Sequence, residues 1–160
     1  MRVVPFASEH EEAVLRLIVG IQRGEFGLDI TAEEQPDLRK IASTYQVGRG
    51  NFWVALDDER VVGTASLLDI GNRQVALRKM FVDRVYRGPS AGTAALLLET
   101  LLAWARARGV HEIFLGTTPR FLAAHRFYEK NGFAEIPQQA LPEAFPVMEV
   151  DKKFYRLRVA

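Results

Sequence analysis

Cysteine is absent from the 160 residues, and only 3 histidines are present. The first absence removes disulfides, thiolate nucleophiles and cysteine-bound metal together, and agrees with a reducing, cytoplasmic setting. The second leaves His10, His111 and His125 too scattered to build a metal site, so no metal is expected. No apolar run approaches the roughly 20 residues of a membrane span, and the N-terminal MRVVPFASEHEE turns polar too early for a secretion signal. A cytoplasmic protein with no membrane partner is expected. Charge of one sign is lacking as well. The net charge is +1, which gives a nucleic-acid partner no overall electrostatic footing.

What is present describes one domain over residues 1–160, long enough for a real core, with hydrophobic residues at 48% and charged residues at 26%. The charge is unevenly placed: residues 1–60 carry 7 basic and 11 acidic side chains, residues 61–160 carry 14 and 9. An anionic ligand would prefer the second part; solvated faces that differ in sign account for the same numbers. There is no repeat, low-complexity tract or linker.

In chain order, Arg2 to Phe6 alternates as a short strand, and Ser8-Glu9-His10-Glu11 reads as a capping box opening a helix with Val14, Leu17, Ile18 and Ile21 on one face. RGEFGLDI is a glycine-punctuated loop fit to line a pocket. Thr31-Ala32-Glu33-Glu34 offers a second capping box, with Pro36 forcing that helix to be short or to start at Asp37. After a flexible Gly48-Arg49-Gly50, three strands form a meander: Asn51 to Leu56, Arg60 to Asp69 and Gln74 to Val82. A helix from about Gly92 to Arg108 has a wide apolar face at Leu97, Leu98, Leu101, Leu102 and Ala105, and stops at Gly109. Glu112 to Gly116 is a buried strand, Thr118-Pro119 an N-cap followed by proline, and Asn131-Gly132 a helix stop. Phe133 to Ile136 and Met148 to Val159 complete the set, around a loop with Pro137, Pro142 and Pro146. The order β-α-α-β-β-β-α-β-α-β-β contains a central βαβ crossover, an α/β arrangement with a mixed sheet.

The stretch from Lys79 to Phe133 organises the rest. A turn delivering small residues to a helix N-terminus leaves backbone N–H groups unpaired, and with the helix dipole they form an anion site suited to phosphate. LRKMFVDRVYRG, a Gly-opened helix and then Phe127-Tyr128-Glu129-Lys130-Asn131-Gly132-Phe133 resemble the GNAT superfamily of acyl-CoA-dependent N-acyltransferases. The resemblance covers the whole chain by element order and Leu77 to Phe133 by motif, FYEKNGF being the more specific half.

The resemblance implies a GNAT-like fold whose strands Ala76 to Val82 and Glu112 to Thr117 splay apart around acetyl-CoA as co-substrate. It implies that backbone N–H groups near Met80, Phe81 and Val82 hold the pantetheine and polarise the thioester carbonyl. It makes Tyr128 the general acid to the CoA thiolate, a primary amine attacking directly. The pyrophosphate loop departs from the family's pattern of Arg or Gln, two residues, Gly, one residue, then Gly or Ala. Read from Arg87 it gives Arg87-Gly88-Pro89-Ser90-Ala91-Gly92, with Ser90 in place of the first glycine. Read from the leucine pair Leu97-Leu98 it makes Gly92-Thr93-Ala94 the Gly-x-Ala, in a loop two residues longer, and this second register is preferred. Pro89 cannot donate, so the cradle is Arg87 with Gly88 and the amides around Ser90, Ala91, Gly92, Thr93 and Ala94.

Where many relatives carry a Glu before the strand leucine, this chain has Ala76, leaving Asp69, Glu25 or an ordered water as candidates for the base. Arg78, placed by strand alternation on the same face as Met80, could bind a carboxylate on an amino-acid-like or peptide acceptor. The relatives' Asn early in the last helix is also missing. Acceptors implied are small-molecule or peptide amines, with a homodimer common among such folds. Two other classes stand beside this one. A non-catalytic acyl-CoA-binding or regulatory module on the same fold would bind CoA without turnover. A Rossmann-type domain would need a glycine turn near the first strand, which is absent.

Overall fold

The computed structural model describes residues 1–159. Strand β1 (Arg2–Pro5) leads to helix α1 (Glu11–Gly20), continued by a wider π turn at Ile21–Glu25, and then to a 3-10 turn at Pro36–Arg39 and helix α2 (Ile41–Tyr45). Strands β2 (Asn51–Asp57), β3 (Arg60–Gly71) and β4 (Gln74–Val82) form the meander. Helix α3 (Thr93–Ala107), strand β5 (Glu112–Thr117), helix α4 (Leu122–Lys130) and strands β6 (Ala134–Ile136) and β7 (Lys153–Arg158) follow. The expected element order is therefore the observed one.

The strands make one sheet in the order β1-β2-β3-β4-β5-β7-β6. All neighbours are antiparallel except β4 and β5, the pair joined through α3. Alternation divides β2 between the two faces: Trp53 and Ala55 point to α3 and α4, Phe52, Val54 and Leu56 to α1 and α2. Leu97, Leu98, Leu101 and Ala105 of α3 are all buried against the first face, each leucine contributing about 1.5–3 kcal/mol of burial. A third, smaller cluster of Ala76, Phe114, Ile136, Phe145 and Phe154 tucks the proline-rich segment after β6 onto the α1–α2 side of the sheet.

Five local expectations change. Ser8 does not cap α1: Ser8–His10 is a 3-10 turn, and the Ala7 N–H donates to Nδ1 of His10 at 3.0 Å. Glu34 does accept from both the N–H and the hydroxyl of Thr31, at 3.2 and 3.1 Å, yet no helix grows, because Pro36 takes over as the start of the next turn. Thr118 heads a turn, its hydroxyl accepting from the Arg120 N–H at 3.1 Å and its carbonyl meeting the His125 ring at 2.8 Å, so α4 begins only at Leu122. Met148 to Lys152 is a turn rather than strand, since Asp151 bonds back to Met148 and only from Lys153 does the chain pair with β5. Gly48 to Gly50 is also packed rather than loose. The Arg49 N–H donates to Asp69 at 2.9 Å, and its carbonyl accepts from Trp104 at 3.0 Å.

Candidate functional site

β4 and β5 pair only at Gln74–Glu112, Val75–Ile113 and Ala76–Phe114. Beyond Ala76 they diverge, and a cleft of about 450 Å³ opens between Leu77–Phe81 on one side and Leu115–Thr117 on the other. The divergence has a local cause. Ser66 faces Arg78 while Thr64 faces Phe81, so β4 carries an extra residue, and Lys79 takes a left-handed φ of 56° to absorb it. The bulge inverts the alternation. Arg78 lies on the Ala76 side, with its Nη2 3.6 Å from the Met148 sulfur, whereas Met80 and Val82 pack with the α3 face. The expectation that Arg78 and Met80 share a face is therefore wrong, and the bulge at Lys79 is the reason.

Lys79 turns into a buried polar set. Its Nζ donates to Gln35 at 2.8 Å and stands 3.6 Å from Asp37, which in turn accepts from the Tyr45 hydroxyl at 2.7 Å. Gln35 exchanges hydrogen bonds with Gln22 at 3.1 and 2.8 Å. Burial pulls the Lys79 ammonium below its ordinary value, against the nearby Asp37 carboxylate. The same burial, with Asp37 beside it, pushes the Tyr45 hydroxyl far up.

Tyr128 enters the cleft from α4, the opposite face of the sheet. It is 6% exposed, stacked edge-on with Phe127 and Phe133. Burial alone pushes its hydroxyl well above the ordinary tyrosine value, and among the described residues no group receives its proton.

Arg87 to Ala94 are not among the residues lining the cleft; there Gly92 (φ 69°) caps α3, placing the N–H groups of Thr93 and Ala94 in the helix's open first turn. Gly88, Ser90 and Ala91 form the preceding turn, closed by the Gly92 N–H donating to Gly88 at 3.1 Å. Arg87 does not point freely outward. It clamps Glu25 through two contacts of 2.6 Å and donates through Nε to the Val82 carbonyl at 2.8 Å. The guanidinium in turn holds the Glu25 carboxyl below the usual range.

Two of the carboxylates expected as base are thus committed elsewhere. Glu25 belongs to Arg87, and Asp69 holds the Arg49 and Gly71 N–H groups at 2.9 and 2.8 Å. A second depression of about 470 Å³ beneath α1 is rimmed by Arg16, Glu59, Arg60 and Asp83. With Glu25 and Arg84 also in its lining, its acidic and basic side chains are equal in number, and Arg60 pairs with Asp83 at 3.3 Å. Among the described residues no cluster of His, Asp and Glu could hold a metal ion, and no helix is long and apolar enough to cross a membrane.

The profile of the acetyltransferase (GNAT) family matches residues 18–133. A crystal structure of a GNAT-family acetyltransferase from Staphylococcus aureus Mu50 superposes with a TM-score of 0.94 at 33% identity, covering 99% of each chain. The yncA acetyltransferase of Salmonella typhimurium, solved with its cofactor acetyl-CoA, shares the fold at a TM-score of 0.76 and 20% identity, over 100% of this chain and 94% of that one. Human N-acetyltransferase 8 is 33% identical over 108 residues, 64% of this chain and 47% of that protein. The chain spans about half the length of the curated relatives it matches.

Proposed function

This chain belongs to the GNAT acetyltransferase family, and we propose that it moves an acetyl group from acetyl-CoA to the primary amine of a small molecule or peptide. The observation that carries this reading is the cleft between splayed β4 and β5, with the unpartnered hydroxyl of Tyr128 in its wall. An unpaired strand edge suits an extended amide-bearing chain such as pantetheine, and the capped start of α3 suits its pyrophosphate.

The amine nitrogen attacks the thioester carbonyl carbon, and the N–H groups along Met80 to Val82 receive the charge that develops on oxygen. As the C–S bond breaks, its electron pair stays on sulfur and Tyr128 donates to it, while the proton that the attacking nitrogen sheds passes through water to restore the tyrosine. With ordinary values of about 10 for tyrosine and about 8.5 for a thiol, full transfer is already uphill by roughly 2 kcal/mol, and burial adds to this. Tyr128 therefore acts chiefly as a hydrogen-bond donor, its proton moving late. No metal takes part in this scheme, and the absence of cysteine fits a cytoplasmic setting.

Calorimetric titration of acetyl-CoA into the purified protein tests the cofactor. A dissociation constant on the order of micromolar or tighter, about 8 kcal/mol, is expected, followed by thiol release with amines. Binding without thiol release from any amine would instead favour an acyl-CoA-binding module.

Two variants probe the pyrophosphate end. Gly92→Glu places a carboxylate and a strained left-handed residue at the anion site, and at least about a tenfold loss of acetyl-CoA affinity is expected. Glu25→Gln has the opposite sign. Arg87 must leave Glu25 to meet a phosphate, and a part-exposed pair is worth up to about 1 kcal/mol. Affinity should rise by up to about fivefold, and a weaker isotherm in this variant would mean that Arg87 serves the protein rather than the cofactor.

A further inference from the structure

The base remains to be found, and the turn between β6 and β7 supplies one. Asp151 lies over β5 at Gly116. A Cβ on residue 116 would stand 2.7 Å from its Oδ2 and 2.9 Å from its Cγ, so the carboxylate occupies space that only glycine leaves open. The turn is pinned by the Asp151 N–H donating to the Met148 carbonyl at 3.0 Å and the Lys152 N–H to the Thr117 carbonyl at 3.1 Å. Among the described residues Oδ2 accepts only a long 3.4 Å bond, from the Met148 N–H. Burial pushes the Asp151 carboxyl above its ordinary value, the Met148 N–H and the Arg78 and Lys79 charges opposing it.

The groups around it have distinct states. From β4 come Arg78 and Lys79, from the loop after α1 Asp29 and Glu34, from its own turn Glu149, and from α4 across the gap Tyr128. Lys79 is matched by Asp37 at 3.6 Å. Arg78 has no carboxylate partner among the described residues, and its contact is the Met148 sulfur at 3.6 Å. Gly116 lies on the Phe114 face of β5 and Arg78 on the Ala76 face of β4, which is the same side of the sheet. Tyr128 packs from the other.

We propose that Asp151 is the catalytic base and that Arg78 beside it receives a carboxylate of the acceptor, so that the substrate class is a free amino acid. The proposal rests on the acetyltransferase reading and specifies its acceptor. Acid and base then flank a thioester held in the gap from opposite faces. An ammonium approaches on the Asp151 side and gives the carboxylate one proton. The freed lone pair forms the C–N bond, and the C–S electrons leave with sulfur, which takes the Tyr128 proton. The surplus proton still on nitrogen passes through water to restore Tyr128, and Asp151 returns its own proton to water. The unmatched Arg78 cation repels a substrate that carries only positive charge. A carboxylate next to the amine removes that penalty.

Thiol release from acetyl-CoA is followed with the L-amino acids, with their decarboxylated counterparts such as phenethylamine against phenylalanine, and with a tripeptide amine. Amino acids should exceed the other two by at least about tenfold in kcat/KM, and Arg78→Gln should erase the preference through KM. Asp151→Asn should lower kcat/KM about 100-fold while the acetyl-CoA isotherm and melting temperature stay put.

The pH profile separates a base from a merely structural carboxylate. In the wild type, kcat/KM rises through the Asp151 titration, above the ordinary carboxylate range near 4, because the deprotonated form is active. In Asp151→Asn that limb disappears, and the rate instead climbs with unit slope up to the amine's own pKa. Equal or better use of decarboxylated amines or the tripeptide overturns the amino-acid assignment, and an Asp151→Asn enzyme with wild-type rate and acid limb overturns the base. Thiol release from no amine at all, with acetyl-CoA bound, overturns the acetyltransferase reading and this proposal with it.

Discussion

Tyr128→Phe is expected to lower kcat about 100-fold, near 2.7 kcal/mol of barrier, and to leave acetyl-CoA affinity unchanged. The fold should not suffer. The Tyr128 ring packs among Phe127, Phe133 and Tyr155, and phenylalanine keeps those contacts. Among the described residues its hydroxyl has no hydrogen-bond partner, and it is not a buried unpaired group but belongs to the cleft wall, so removing it breaks no bond within the protein and the melting temperature should hold. A core tyrosine serving structure predicts the reverse, a lowered melting point with ordinary turnover. Tyr155 is the comparison: its hydroxyl donates to Glu129 at 2.6 Å, and Tyr155→Phe should cost stability and little activity. A Tyr128→Phe enzyme with wild-type kcat would remove the tyrosine from the reaction.

The order of elements was readable because each is signalled over many residues: Leu97, Leu98, Leu101 and Ala105 repeat at helical spacing, and β2 alternates cleanly between two faces. Single-residue events were not. LRKMFV reads as an uninterrupted strand, and nothing in it announces that Lys79 takes a left-handed conformation, which is what separates Arg78 from Met80. Tyr128 was legible through FYEKNGF, a local motif. Asp151 was not, because Met148 to Val159 reads as one strand whose alternation would place it beside the core pattern. The turn bringing it over Gly116 depends on a contact 35 residues distant in sequence. Three prolines before a chain that must return to the sheet are the signal that could have raised it. Asp69 shows the converse: a carboxylate at the end of an expected strand looks free in sequence, and only the packed turn at Arg49 reveals its occupation.

That turn carries the other large effect. Gly50→Ala is expected to destabilise the protein by about 3–4 kcal/mol, more than most overpacking changes, and to lower the melting temperature by roughly 10 °C. A Cβ at residue 50 would stand 2.4 Å from the Tyr45 carbonyl oxygen and 2.6 Å from that of Leu67. Both are backbone atoms, in α2 and β3, and neither can rotate away. Gly20 is the control. It sits in helical conformation at the end of α1 with no atom within 4 Å of its would-be Cβ, so Gly20→Ala should be neutral or stabilise by up to about 1 kcal/mol. The strain at Gly50 also reaches the cleft. Pushing α2 from β3 moves Tyr45, whose hydroxyl fixes Asp37 at 2.7 Å, and Asp37 is the counter-charge 3.6 Å from Lys79 at the bulge. Folded Gly50→Ala protein should therefore bind acetyl-CoA normally, since β5 and the start of α3 are untouched, while its KM for the amine rises. A melting temperature within 2–3 °C of wild type, near the size of a 1 kcal/mol change, would show that the turn yields where its backbone contacts say it cannot.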